Sequence, residues 1–246
     1  MFRTVLVSAA LIVTLALPVT AQQALTDAER DAFRAEVRAY LMENPEVIME
    51  AVGILQAREE ADQLAADEQM VADQTDALVN DGFSWVGGNP DGDITVVEFM
   101  DYRCGYCKKA FPEVESLLEA DGNIRFIVKE FPILGDASVL GSQFAIATHI
   151  LAGDAAYKSV HDTLMSYNGE ITAETLTRLG DSLGLDSAAI LAKTDDPEVV
   201  RRINANRALG SALQISGTPT FVVQNKMVRG YVPADQLQQL VDQLRG

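Results

Sequence analysis

Cysteine is nearly absent: the 246 residues hold two, Cys104 and Cys107, separated only by Gly105-Tyr106. No further thiol exists to build a structural disulfide elsewhere or a four-cysteine metal site, so the pair is chemical rather than architectural. Histidine is as scarce. His149 and His161 both fall in a helical pattern, and a tetrahedral zinc site would need carboxylate ligands that no spacing identifies. The two read as ordinary helix residues. Basic residues are outnumbered, 19 against 36 acidic, for a formal charge of -17. Such a field opposes binding to nucleic acid and to anionic lipid. The apolar run from Val5 to Leu17 is shorter than the roughly 18 residues of a membrane-spanning helix.

That run follows Arg3 and leads into Pro18-Val19-Thr20-Ala21, the pattern of a cleaved export signal with small residues ahead of the cut. Residues 1–21 are therefore expected to be a signal peptide, cleaved near Ala21, and the protein to be periplasmic. An exported chain with only one close cysteine pair points to redox chemistry.

Three segments follow. Residues 22–81 are expected to form a helical arm of two helices, 27–42 and 45–79, parted at Asn44-Pro45 because Pro disfavours helix before it and suits a helix start. Ile54, Ala57, Ala61, Leu64, Val71 and Leu78 fall on a heptad seam that Glu68 and Thr75 interrupt. The seam fits oligomerisation through residues 25–80, or a stalk or helix packed on its own domain. The turn-rich stretch Gly87-Gly88-Asn89-Pro90-Asp91-Gly92-Asp93 leads into a domain over residues 82–246. There the apolar runs predict strands at 94–100 and 124–129 flanking a helix at 108–120, then a helical insertion over about 138–212. Strands near 220–224 and 227–231 and a last helix at 234–244 close the chain. The fold class is α/β, a βαβ half and a ββα half split by helices.

The chemistry sits where the first strand meets its helix. A C-x-x-C at a helix start lets two thiols close a disulfide across one turn, and the first sulfur faces free backbone N–H groups and the positive end of the helix dipole. Cys104 is therefore the expected nucleophile and Cys107 the more buried resolving thiol, with Gly105 and Tyr106 beside them at the surface that meets substrate. Structural bridging, metal binding, and transient copper(I) capture by two soft thiolates are the competing readings of the same pair. Far along the chain, Gly217-Thr218-Pro219-Thr220-Phe221 precedes a strand. Pro219 is a candidate cis proline, which would leave the Thr218 backbone free to pair with an extended substrate segment. Glu98 lies inside the apolar stretch Val96–Met100, six residues before Cys104. If buried, it would hold its proton unusually well and suit proton transfer with Cys107.

Over Gly82 to Gly246 these residues resemble the DsbA family of thioredoxin-like thiol:disulfide oxidoreductases. The resemblance implies a thioredoxin-like fold with a helical insertion, Cys104 attacking, Cys107 resolving, Pro219 as cis proline and Glu98 as buried acid. It implies no cofactor beyond the two thiols. The arm, with Tyr40-Leu41-Met42-Glu43-Asn44-Pro45-Glu46-Val47-Ile48, is similar to that of suppressor-of-copper-sensitivity C (ScsC) proteins, where such arms build oligomers. Strongly oxidising members carry Pro-His between the cysteines. Gly105-Tyr106 and Thr218 instead resemble the disulfide isomerases, so reduction or isomerisation by a homo-oligomer is expected ahead of oxidation by a monomer. The implied partners are unfolded or misoxidised exported proteins and a membrane redox partner of the DsbD/ScsB type, with no nucleic acid.

Overall fold

The computed structural model describes residues 26–246, so the expected signal peptide lies outside the described residues. Thr26 caps α1 (Asp27–Glu43): its hydroxyl accepts the Glu29 N–H while the Glu29 carboxylate takes the Thr26 N–H, satisfying two of the free donors at the helix start. Asn44 ends α1, and α2 (Glu46–Asp73) begins just after Pro45. The expected single helix over 45–79 is broken at Gln74, whose φ of -110° and ψ of 10° leave helical geometry, and a short α3 (Thr75–Val79) follows. The chain divides into two compact units between Ala57 and Arg58.

The first unit exposes apolar side chains. Phe33, Val37, Tyr40, Met42, Ile48 and Ile54 are all between 40% and 71% exposed, and Phe33, Val37, Leu41, Met42 and Ile48 line one shallow groove. Side chains of this kind normally drive burial.

In the second unit, five strands form one sheet: β1 (Trp85–Gly88), β2 (Ile94–Met100), β3 (Ile124–Glu130), β4 (Thr220–Val223) and β5 (Lys226–Arg229), in spatial order β1-β3-β2-β4-β5. β2 and β3 run parallel across α4 (Gly105–Asp121), and the other pairs are antiparallel. The turn reading of Gly87-Gly88 missed β1. Its glycines are required there: a Cβ on Gly87 would strike the Trp85 ring, and one on Gly88, at φ +63°, would meet the Ile124 carbonyl at 2.4 Å. Between β3 and β4 come α5 (Asp136–Ser166), interrupted at Gly153, then α6 (Ala173–Ser182), α7 (Ser187–Ala192) and α8 (Pro197–Ala212). α9 (Ala234–Arg245) ends the chain.

Strand alternation gives the sheet two apolar faces. Val96 and Met100 of β2 and Phe126 and Val128 of β3 share one core with α4, α5 and α9. Val97, Phe99 and Ile127 face the other way and pack with Leu209, Leu213 and Ile215. Val71 and Leu78, two members of the heptad seam, are buried in this second core, whereas Ile54 and Leu64 of the same seam are about half exposed. The C-terminal part of the seam thus serves the sheet. Two ion pairs hold α2 on the edge strand: Asp67 with Arg229, and Glu68 with Lys226.

Candidate active site

β2 ends at Met100 and α4 starts at Gly105, so Asp101 to Cys104 form the turn that carries the thiols. Cys104 is the N-cap of α4, with extended backbone (φ -74°, ψ 115°), and its Sγ accepts the N–H of Cys107 at 3.4 Å. A sulfur here occupies the place of the usual Ser or Asp cap oxygen and faces the positive helix end. Cys107 lies one turn on and is fully buried. Gly105 and Tyr106 are at the surface, with Tyr106 64% exposed and its ring 6.5 Å from that of Tyr231.

The Thr218–Pro219 peptide bond is cis. The Cys104 thiol donates to the Thr218 carbonyl at 3.1 Å, so residues 114 positions apart meet at one sulfur. Gly230 N–H bonds the Pro219 carbonyl at 2.9 Å, anchoring this segment to the end of β5.

The two thiols are driven apart electrostatically. Cys104 is lowered to about 5, first by the hydrogen bond with the Cys107 side chain, then by the Thr218 side chain and the N–H groups of Cys107 and Tyr106, against an opposing push from burial. The Thr218 carbonyl can accept only from the protonated thiol and so favours it; the donors outweigh that contact. Cys107 is raised far above the ordinary thiol value by burial, then by the hydrogen bond with the Cys104 side chain, and further by the Glu98 and Cys104 charges. One thiol is thus largely thiolate near neutrality, the form able to attack a disulfide, and its neighbour is held protonated.

Glu98 lies in the middle of β2, paired with Val128 on one side and Phe221 on the other. It is 3% exposed, and its Oε1 has no hydrogen-bond partner. Burial, with the Cys104 and Glu115 charges behind it, pushes this carboxyl up to about 8. Glu98 therefore carries a proton at neutral pH.

Three functional candidates escaped sequence reading. The Asp101 carboxylate, fully buried, accepts the Arg103 N–H at 2.7 Å and the Ile133 and Leu134 N–H groups at 2.8 and 3.0 Å, tying the loop after β3 to the cysteine turn. Tyr102 and Glu130 are likewise buried, joined by a 2.7 Å hydrogen bond. An acid closing an apolar strand, as Glu130 closes β3, was the available signal. His161 is buried against Tyr102, Tyr157 and Trp85 and held neutral, its pKa depressed to about 3 by burial; His149 bonds Asp154 at 2.6 Å. Among the described residues no cluster of three or more His, Cys, Asp or Glu side chains is arranged to hold a metal ion.

Residues 95–242 match the DSBA-like thioredoxin domain, and residues 29–62 match the copper resistance protein ScsC N-terminal domain. A thioredoxin-like oxidoreductase from Silicibacter pomeroyi is 39% identical, covering 69% of this chain and 96% of that one with a TM-score of 0.65. ScsC of Proteus mirabilis is 30% identical over 89% of this chain and 98% of its own, with a TM-score of 0.65. A thiol-disulfide exchange protein of Wolbachia pipientis is 25% identical, covering 73% and 96%, with a TM-score of 0.68. Among curated sequences, the antiporter NhaA 3 of Salinispora tropica is 30% identical over 145 residues, and the chain spans only 22% of that protein's length.

Proposed function

This chain belongs to the DsbA-like thioredoxin family and carries an ScsC-type N-terminal domain, and on that footing we propose that it is a periplasmic protein thiol:disulfide oxidoreductase working chiefly as a reductase or isomerase. The observation that carries the proposal is the sulfur of Cys104, which caps α4, accepts the Cys107 N–H and sits against Thr218. The similar Silicibacter and Wolbachia proteins, described as an oxidoreductase and a thiol-disulfide exchange protein, support the same reading.

The Cys104 thiolate attacks one sulfur of a substrate disulfide. A Cys104–substrate disulfide forms, and the other substrate sulfur leaves as a thiolate that takes up a proton. In reduction, Cys107 gives its proton to Glu98 in the minor fraction of molecules whose Glu98 is ionised at neutral pH, and attacks Cys104 Sγ. The substrate departs with its second thiol, two electrons have moved to it, and Cys104–Cys107 is the disulfide left behind. In isomerisation, another substrate thiol attacks the mixed disulfide instead, and no net electrons move. A low Cys104 pKa stabilises the reduced pair and favours oxidation of substrates; the absence of an imidazole at position 106 weakens that tendency.

Misoxidised exported proteins are the proposed substrates, and a membrane reductant of the DsbD/ScsB type is the proposed partner that returns the pair to the dithiol. The exposed apolar groove of α1 and α2 supports assembly into a homo-oligomer through the arm. Refolding of a scrambled disulfide protein tests the reading. The reduced full chain should restore substrate activity faster than a redox-buffer control, and Cys104→Ser should not. Oxidation of a reduced substrate without recovery of a scrambled one would assign the oxidase direction instead.

A further inference from the structure

β3 ends on a carboxylate that thiol exchange, as described, does not use. Glu130 is 3% exposed, and among the described residues it forms no ion pair. Instead it takes three hydroxyl hydrogen bonds: Oε1 accepts from Tyr102 and from Tyr157, each at 2.7 Å, and Oε2 accepts from Ser142 at 2.6 Å. Burying a carboxylate is costly unless its lone pairs are filled, and here every donor is a neutral hydroxyl. Burial still prevails over these donors and lifts the carboxyl to about 7.

The three donors come from two places. Ser142 and Tyr157 are on α5, the first helix of the insertion. Tyr102, with no exposed surface, lies in the cysteine turn two residues before Cys104, and the Cys104 N–H bonds the Asp101 carbonyl at 3.0 Å within the same turn. The Tyr102 oxygen also meets His161 Nδ1 at 3.2 Å. Its own proton is committed to Glu130, so the imidazole is the donor in that contact. Tyr102 is therefore held from both sides, by β3 and by α5.

We propose that Glu130 is a positioning residue for the reactive thiol: through Tyr102 it clamps the turn 101–104 to β3 and α5, keeping Cys104 Sγ aligned with the Cys107 N–H and Thr218. Buried hydroxyl networks confer rigidity when every member is satisfied, and reacting groups lose rate steeply when misplaced by about 1 Å. This inference rests on the reading of Cys104 as nucleophile.

A matched pair of variants tests it. Tyr102→Phe and Tyr157→Phe each remove one hydroxyl from the same Glu130 oxygen, yet only Tyr102 belongs to the cysteine turn. The readout is the pH profile of iodoacetamide capture on the reduced full chain, with the first adduct followed by mass and folding checked by circular dichroism. Tyr102→Phe should move the midpoint upward and slow capture below it by about threefold or more. Tyr157→Phe should leave the midpoint in place while lowering the melting temperature about as much as Tyr102→Phe does. Glu130→Gln, which retains an oxygen acceptor, should behave like Tyr157→Phe.

An unmoved midpoint in Tyr102→Phe, or an equal movement in Tyr157→Phe, overturns the clamp. A Glu130→Gln shift as large as that of Tyr102→Phe overturns it in favour of a direct charge effect. If Tyr102→Phe fails to fold, movement in either other variant still overturns it, and Glu130→Leu, which removes both acceptor oxygens, decides it: an upward midpoint supports the clamp and an unmoved one overturns it. Alkylation needs no disulfide substrate. A clamp that passes in a chain unable to exchange disulfides would sink the functional proposal alone; exchange with no Tyr102 effect would sink this inference alone.

Discussion

The thiol of Cys104 lies 3.1 Å from the carbonyl oxygen of Thr218, so the start of α4 and the segment leading into β4 share one reactive atom. In the proposed exchange, a substrate sulfur approaching Cys104 would displace or pass that carbonyl, with the flanking substrate backbone beside residues 217–219. Position, charge and access are settled together at this point.

The first expectation concerns the thiolate. Cys104 ionises near pH 5 in the folded chain and near 8.5 when unfolded. Its folded pKa is depressed, so its contribution to the reduced state is complete above the unfolded value and is lost as pH falls toward 5. Denaturation of the reduced protein should show a stability gap over Cys104→Ser that widens from pH 5 to pH 8. Iodoacetamide capture should fall about tenfold per pH unit below 5. A midpoint near 8.5 would refute both.

Glu98 carries the opposite sign. Its folded pKa, about 8, is raised above the ordinary 4.5, so the fold favours the protonated form. Stability from this group is greatest below about pH 4.5 and is lost as pH rises through 8. Glu98→Gln should therefore melt higher than the parent at pH 9 and little differently at pH 5. In exchange assays it should accumulate the mixed disulfide, because Cys107 loses its proton acceptor. Unchanged partitioning would remove Glu98 from proton transfer.

The divided heptad seam separates folding from assembly. Leu78 is 1% exposed in the second core, and Leu78→Ala should cost about 2–5 kcal/mol by chemical denaturation. Leu64, 53% exposed, should cost less than about 0.5 kcal/mol on truncation. Ile54→Glu should lower the mass seen by light scattering without lowering the melting temperature. A parent protein that is already monomeric would defeat the oligomer.

Asp67 meets Arg229 through both terminal guanidinium nitrogens, Nη1 and Nη2, and that bond with Arg229 is the main reason its pKa is lowered. The pair is part exposed, so Asp67→Asn should cost only about 1–2 kcal/mol at pH 7. That difference should shrink only as pH falls below the ordinary 3.8 and through the lowered folded value, where the parent carboxylate is protonated too. A loss that does not shrink in the acid limb of the titration would mean packing rather than charge.

Much of this was legible in the sequence because local signals agreed. Alternation and turn residues marked four of the five strands, and Asn44-Pro45 marked the break between α1 and α2. β1 escaped because its glycines, read as turn formers, answer to contacts with Trp85 and Ile124 that only the folded sheet creates. The break at Gln74 escaped because the apolar seam continues across it. In the site, Cys104, Cys107 and Pro219 carry local motifs, whereas Tyr102 and Glu130 become partners only through the parallel pairing of β2 and β3. Asp101 is similar: its partners are backbone N–H groups at Ile133 and Leu134, to which any sequence would contribute.

A Cβ added at Gly105 would meet nothing within 4 Å, and Tyr106 stands mostly in solvent. The two residues between the thiols thus bear on the sulfurs without bearing on the core. Replacing them with Pro-His can shift the balance between oxidant and reductant while the melting temperature stays nearly constant, so the redox character of this scaffold is free to drift, or to be engineered, independently of its folding.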